Sequence, residues 1–273
     1  MVKSYQLPAV LSIAGLDPSG GAGIAADLKT TLAYGIYGMA ATTAVTAQNT
    51  CGVSGIWDLP YEAVYEQIDA VFQDIRPDAV KVGMLSTSAA AQAVADIVKK
   101  YAPEHMIIDP VMVSTSGKSL LDAEARQILL TDLFQAVELI TPNIPECENI
   151  LGQTIQNQQE MEEAAIRINK IYGCNVLIKG GHLTDTADDL LYTGEMHWYP
   201  SERIKSANTH GTGCTLSTAI ACGLACGKQL PEAVRDAKKY VRDAMKAGLD
   251  MGQGNGPLAH GCYGREVRIQ KEK

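Results

Sequence analysis

Short apolar runs rich in β-branched residues alternate with helical patterns along nearly the whole chain, and this alternation limits its fold more than any other feature. Strand-like runs fall at 9–13, 40–47, 79–82, 106–108, 137–140 and 176–178, with helical patterns near 23–34, 61–74, 88–101, 123–130, 144–151 and 159–171 between them. Strand, helix, strand in this order reads as βαβ units with right-handed crossovers. The expected architecture is α/β, with a central, mostly parallel β-sheet flanked by helices on both faces. Runs at 189–192 and 196–199, joined by Thr193-Gly194-Glu195, read as a small β-hairpin on the sheet edge. Two helices close the pattern, near 215–226 and 231–249. No Pro/Ser-rich linker or repeat interrupts it, so one domain is expected over 1–260, with a polar tail over 261–273 that frays from about Gly264.

The chain has 273 residues, 46% of them hydrophobic and 20% charged, ample for a sizeable core. No window reaches the roughly 18 consecutive apolar residues of a membrane span. A net charge of -8 lacks the basic footprint of a nucleic-acid or anionic-membrane binder, so an anionic ligand must be captured locally. The first residues have no signal-peptide architecture, and a cytosolic protein is expected. Seven cysteines, odd in number and without a CxxC pair, argue against a disulfide framework. Cys222 and Cys226 share a helix face and read as buried helix residues rather than half of a zinc set.

The most informative local segment is Thr209-His210-Gly211-Thr212-Gly213-Cys214-Thr215, a glycine-rich turn opening a long apolar helix. Such a turn aims unpaired backbone N–H groups at one point, where the helix dipole favours an anion. A cysteine in that first turn is expected to have a stabilised thiolate and to be reactive near neutral pH. The competing reading is a tight loop whose glycines only permit close packing. Gly15 to Gly23 is a second glycine-dense connection, directly after the first strand, which suggests close approach of backbone to a ligand. Asp27, one turn further on, is a polar contact for that ligand or an exposed helix acid.

Two motifs are weaker than they look. Gly21-Ala22-Gly23-Ile24-Ala25-Ala26 fits the dinucleotide fingerprint, yet no Asp or Glu occurs from Leu28 to Trp57 to hold a ribose. Gly117-Lys118-Ser119 copies the end of a Walker A loop, but the required first glycine falls on Met112. Asp109, by contrast, ends a strand where open α/β sheets collect ligands, and reads as a magnesium or phosphate-side carboxylate or as a turn cap.

Taken together, the blocks from Ala14 to Ile24, Asp27-Leu28-Lys29-Thr30, Ala47-Gln48-Asn49-Thr50, Lys81-Val82-Gly83-Met84-Leu85, Asp109-Pro110-Val111-Met112, Thr141-Pro142-Asn143-Ile144-Pro145-Glu146, Lys179-Gly180-Gly181-His182 and the loop 209–215 closely resemble the hydroxymethylpyrimidine/phosphomethylpyrimidine kinases of thiamin synthesis, in the ribokinase-like superfamily. The likeness runs in order from about Pro8 to His260. It implies ATP and Mg2+ as cofactors, a small-molecule substrate, a homodimer, and two successive phosphorylations, of 4-amino-5-hydroxymethyl-2-methylpyrimidine and of its monophosphate. It further implies that Gly211 and Gly213 supply anion-hole amides and that Cys214 stands where most of the superfamily has an aspartate base. Asp109, Thr141, Asn143, Lys179 and Thr212 would face ATP, with Glu146, Asn143 and Asp109 toward magnesium. Asn143 and Glu146 also spell a helix capping box. Gly15, Asp27, Gln48, Met84 and Val111 match the pyrimidine pocket, where the Gln48 amide suits an amino donor beside a ring-nitrogen acceptor. A pyridoxine or pyridoxal kinase is the alternative substrate reading. A non-catalytic pyrimidine sensor on the same fold is the alternative from another class.

Overall fold

The computed structural model describes residues 7–112, 121–182, 187–204 and 206–262. The Gly117-Lys118-Ser119 motif and the tail from Gly264 lie outside them. Strand β1 (Ala9–Leu16) is buried along all but its last residue, as a parallel strand covered on both faces must be. After it come α1 (Gly23–Ala33), β2 (Tyr37–Asn49), β3 (Gly52–Asp58), α2 (Tyr61–Asp74), β4 (Ala79–Val82), α3 (Ser88–Tyr101) and β5 (His105–Ile108). The chain continues through α4 (Ala123–Ile128), β6 (Leu139–Ile140), α5 (Ile144–Leu151), α6 (Gln158–Tyr172), β7 (Asn175–Ile178), β8 (Asp189–Tyr192), β9 (Met196–Tyr199), α7 (Thr212–Ala225) and α8 (Leu230–Lys246).

Among the described residues, one sheet of nine strands runs β3-β2-β1-β4-β5-β6-β7-β8-β9. The six from β2 to β7 are parallel, while β3 at one edge and the β8–β9 hairpin at the other pair antiparallel. Side chains alternate across it with period two. Leu11, Ile13, Val80, Val82, Met106 and Ile108 point to the face covered by α2 to α6, whereas Val10, Ala79, Ile107, Leu139 and Leu177 meet α7 and α8. Helix α7 is buried continuously from Thr215 to Leu224. This explains why its pattern is apolar all round instead of striped.

Three local readings are corrected. Strand β3 was not expected, because Gly52 and Gly55 interrupt its pattern and its residues are only partly buried. Its pairing to β2, with Val45 opposite Trp57 and Thr46 opposite Ile56, is what makes it a strand. Helix α7 begins at Thr212, three residues before the expected start, which puts Cys214 inside its first turn. Cys222 is buried as expected, but Cys226, at the end of α7, is exposed.

Candidate active site

From β1 the chain passes to β2 on one side, while β4 lies on the other, so the strand order reverses at the C-terminal end of β1. Ligands of open α/β sheets bind at such a crevice. Here it holds a cavity of about 1540 Å³. Gly15 lies at its floor, where the β1–β2 register slips between Ala14 and Leu16. A Cβ on Gly15 would come within 2.5 Å of the Met84 methyl, so this glycine lets the Met84 side chain lie against the strand end. Gln48, Met84 and Val111 line the cavity with Gly15, as do Asp109, Asn143, Glu146, Lys179, Gly211, Thr212, Gly213 and Cys214.

Among these lining residues, Lys179 donates to Asp109 Oδ1 at 2.7 Å and stands 3.9 Å from Glu146. Desolvation opposes the charge on Lys179, but the two carboxylates more than offset it and hold the amine protonated. Burial acts most strongly on Glu146, raising its carboxyl to about 7 against the pull of Lys179. The capping box is real: Asn143 Oδ1 accepts from the Glu146 amide at 2.9 Å, and Glu146 Oε2 from the Asn143 amide at 2.7 Å. The cap fixes both residues while they line the cavity wall.

Two expected contact residues lie behind the wall. Asp27 is fully buried, accepting from Ser12 Oγ at 2.5 Å, Lys81 Nζ at 2.8 Å and Thr218 Oγ1 at 2.7 Å. It does not line the cavity; these three donors, among them equally buried Lys81, compensate its charge in the core. Thr141 is also buried, its hydroxyl donating to Asp109 at 3.3 Å. It positions that carboxylate from beneath.

The expectation of a low thiol pKa at Cys214 is corrected. Burial pushes the thiol above its ordinary value, and although Lys81 and the Gly23 amide pull it down, Asp27 and Asp109 add to the upward shift. A helix N-terminus alone does not outweigh desolvation beside two carboxylates.

The two glycines of the turn differ. Gly211 caps α7 in the left-handed region, with φ 79°, and any Cβ would overlap the Gly21 carbonyl. Gly213 is helical, and a Cβ there would sit 3.1 Å from Asp109 Oδ2 and 3.4 Å from Lys179 Nζ, in the cavity.

Several residues at the site had no assigned role. Asp17 and His210, 193 positions apart, meet at 2.8 Å and join the two glycine loops. Lys81 is the buried cation beneath Cys214. On the far wall of the cavity, Arg235, Lys238, Lys239 and Arg242 form a basic stripe of α8. Their i, i+3, i+4, i+7 spacing was the available signal. No group of three or more metal-ligating side chains occurs among the described residues.

The chain matches the model of the phosphomethylpyrimidine kinase family over residues 17–259. It is 46% identical over 256 residues to the hydroxymethylpyrimidine/phosphomethylpyrimidine kinase of Streptomyces coelicolor, covering 93% of this chain and 94% of that one. A thiamine biosynthesis bifunctional protein of Geobacter sulfurreducens is also 46% identical, over 95% of this chain, which spans about half (53%) of that longer protein. Among solved structures, the phosphomethylpyrimidine kinase of Clostridium difficile superimposes with a TM-score of 0.79 at 44% identity, over 87% of this chain and 99% of that one. The Staphylococcus aureus pyridoxal kinase bound to AMP-PCP superimposes with a TM-score of 0.87 at 33% identity over 96% of each chain. With both its sequence and its ribokinase-like sheet matched over most of their length, the chain belongs to the phosphomethylpyrimidine kinase family of phosphotransferases.

Proposed function

We propose that the chain transfers the γ-phosphoryl group of ATP to the hydroxymethyl group of 4-amino-5-hydroxymethyl-2-methylpyrimidine, and then phosphorylates the resulting monophosphate, in thiamin biosynthesis. The observation that carries this reading is that the Gly211–Cys214 turn, the Asp109–Lys179 pair and Gln48 all line one cavity. Backbone amides at the start of α7 meet the charge that develops on the transferred group, and Lys179 neutralises phosphate oxygens in a partly desolvated site. The turn at Gly15 and the side chains of Met84 and Val111 shape the ring pocket. Thr212 and Asn143 contribute polar groups on the nucleotide side. Cys214 acts as the base from its minor thiolate form, which the charge of buried Lys81 favours.

Mg2+ ordinarily binds one or two carboxylates together with substrate phosphates and keeps several waters. Glu146, Asp109 and Asn143 fit that role, since the two carboxylates flank Lys179 at the cavity wall and no larger protein cage is needed. When bound, the ion would neutralise charge on the phosphates. As a cation favours ionised Glu146, magnesium affinity should rise as pH rises through about 7, the value to which burial lifts that carboxyl. Glu146→Gln should shift the magnesium optimum upward and flatten this pH dependence. An unchanged magnesium titration would leave Glu146 with the capping role alone.

Gln48→Ala tests the substrate reading. KM for the aminopyrimidine should rise by about 10- to 100-fold through loss of paired hydrogen bonds worth roughly 1–3 kcal/mol, with KM for ATP little changed. Pyridoxal turning over better than the aminopyrimidine in the wild type would favour the pyridoxal-kinase reading, which similarity to the Staphylococcus aureus enzyme keeps in view. Tight pyrimidine binding without any ATP turnover would point to a sensor.

The turn glycines give a paired test. Gly213→Ala should lower kcat by about 100-fold by intruding on the phosphoryl site, while leaving the melting temperature nearly unchanged. Gly211→Ala should lower the melting temperature as well, since left-handed backbone and the Gly21 carbonyl both oppose a Cβ. Equal melting losses in the two variants would mean that both glycines serve packing.

A cytosolic homodimer of one catalytic domain over 1–260 completes the reading. In support, no described helix is long and apolar enough to cross a membrane. Sedimentation of the full chain tests the dimer.

A further inference from the structure

We infer that His210 determines which way round the Gln48 amide faces the substrate ring, making it a specificity-determining residue of this kinase. The inference rests on the reading of Gln48 given above. Asp17 is buried, and its carboxylate accepts the Ser19 amide at 2.8 Å, the Ala22 amide at 2.9 Å, the Gly21 amide at 3.2 Å and the Ser19 hydroxyl at 3.0 Å. A carboxylate so surrounded by donors is ionised. Burial works against that charge, but the hydrogen bonds from His210 and Ser19 outweigh it and keep the carboxyl below its ordinary range.

His210 Nε2 lies 2.8 Å from Asp17 Oδ2. An ionised carboxylate has no proton to give, so the proton of this contact belongs to Nε2. The ring is closely seated as well, since a Cβ on Gly21 would overlap its Cδ2 edge. The Gln48 amide approaches the same Nε2 at 3.4 Å, placed with its nitrogen toward the ring; which end of an amide is nitrogen is decided by its hydrogen-bond partners. A nitrogen that carries hydrogen cannot accept from an amide NH2, so the group turned toward it is the Gln48 carbonyl oxygen, sharing the N–H as a secondary acceptor.

The other end of the amide leads to the same orientation independently. Thr46 Oγ1 has one hydrogen and lies 3.0 Å from the Leu16 carbonyl, which can only accept. The Gln48 atom 3.2 Å from this hydroxyl is placed as the carbonyl oxygen, but the hydroxyl's one hydrogen is already given to Leu16, so turning the amide over to bring its NH2 here satisfies both groups. Of the amide's two N–H donors and two carbonyl lone pairs, His210 and Thr46 each take one. One donor and one acceptor remain side by side in fixed order for an amino group beside a ring nitrogen. Reversing the amide would exchange them and present the wrong group to each partner.

The test combines a direct reading of the tautomer with ligand titrations on the full chain. Long-range 1H–15N correlation of the wild-type protein should find the His210 proton on Nε2; a bare Nε2 overturns the inference, whether or not any variant folds. By calorimetry, His210→Phe, which keeps ring volume without a donor, should weaken binding of 4-amino-5-hydroxymethyl-2-methylpyrimidine by about tenfold. AMP-PCP binding should be unchanged, and His210→Gln, which retains an amide donor, should recover most of the loss. Equal weakening for both ligands, or none for the pyrimidine while Gln48→Ala loses affinity, overturns the role of His210 and leaves that of Gln48 standing. If Gln48→Ala itself binds normally, the reading of Gln48 fails first.

Discussion

Cys214→Ala should lower kcat by about 10²–10⁴, the range for losing a positioned proton acceptor, without disturbing ATP binding. The pH profile separates this from a packing effect. A base acts in its deprotonated form, and burial raises the Cys214 thiol, so the wild-type rate should climb with pH through neutrality and level off only above the ordinary thiol value of about 8.5. At saturating magnesium, where the Glu146 contribution is removed, the alanine variant should lose that rise. Cys214→Asp should recover part of the rate and move the rise to lower pH, since a carboxylate ionises earlier. Recovery should be partial, because Asp27 and Asp109 repel a third carboxylate even as buried Lys81 attracts it. If the alanine variant turns over within about threefold of wild type, far below the general-base range, the amides of the turn carry catalysis by electrostatics alone.

Lys179→Met should reduce kcat by about 10²–10³ and raise KM for ATP, in line with removing one preorganised charge from a phosphoryl-transfer site. It also strands Asp109, which is 2% exposed and would lose its 2.7 Å partner. Breaking a buried pair in this way costs about 3–5 kcal/mol when the remaining charge stays unpaired. The melting temperature should therefore fall with activity. Adding Asp109→Asn removes the stranded charge, so the double variant should regain much of the melting temperature but none of the rate. Recovery of both together would show that Lys179 serves the fold through Asp109 and has no direct part in phosphoryl transfer.

Much of this protein was legible in its residues because the relevant physics is local. Period-two and period-3.6 apolar patterns specify which face each element buries, and they gave α2, β4, α3, α5, β8 and β9 with their observed bounds. The Asn143–Glu146 capping box spans only four residues, and it forms as spelled. The glycine-rich loop 209–215 opens a helix as its pattern implied, and the strand pattern put Asp109 at a strand's C-terminal end.

What the tertiary structure alone decided concerns partners distant in sequence and the water that packing removes. Asp27 reads from its helix as a surface or ligand-facing acid, yet Lys81, 54 residues away, turns it into the core. Cys214 sits at a helix start that should favour its thiolate, yet desolvation and two carboxylates from other elements raise its pKa. Strand β3 has too little apolar pattern to declare itself, and hydrogen bonds to β2 create it. Asp17 and His210 carry no shared motif, and only the closure of the sheet around α7 brings them to 2.8 Å. Periodicity and capping are properties of a few consecutive residues, whereas the charge state of a buried group depends on everything within a few ångströms, which only the folded chain assembles.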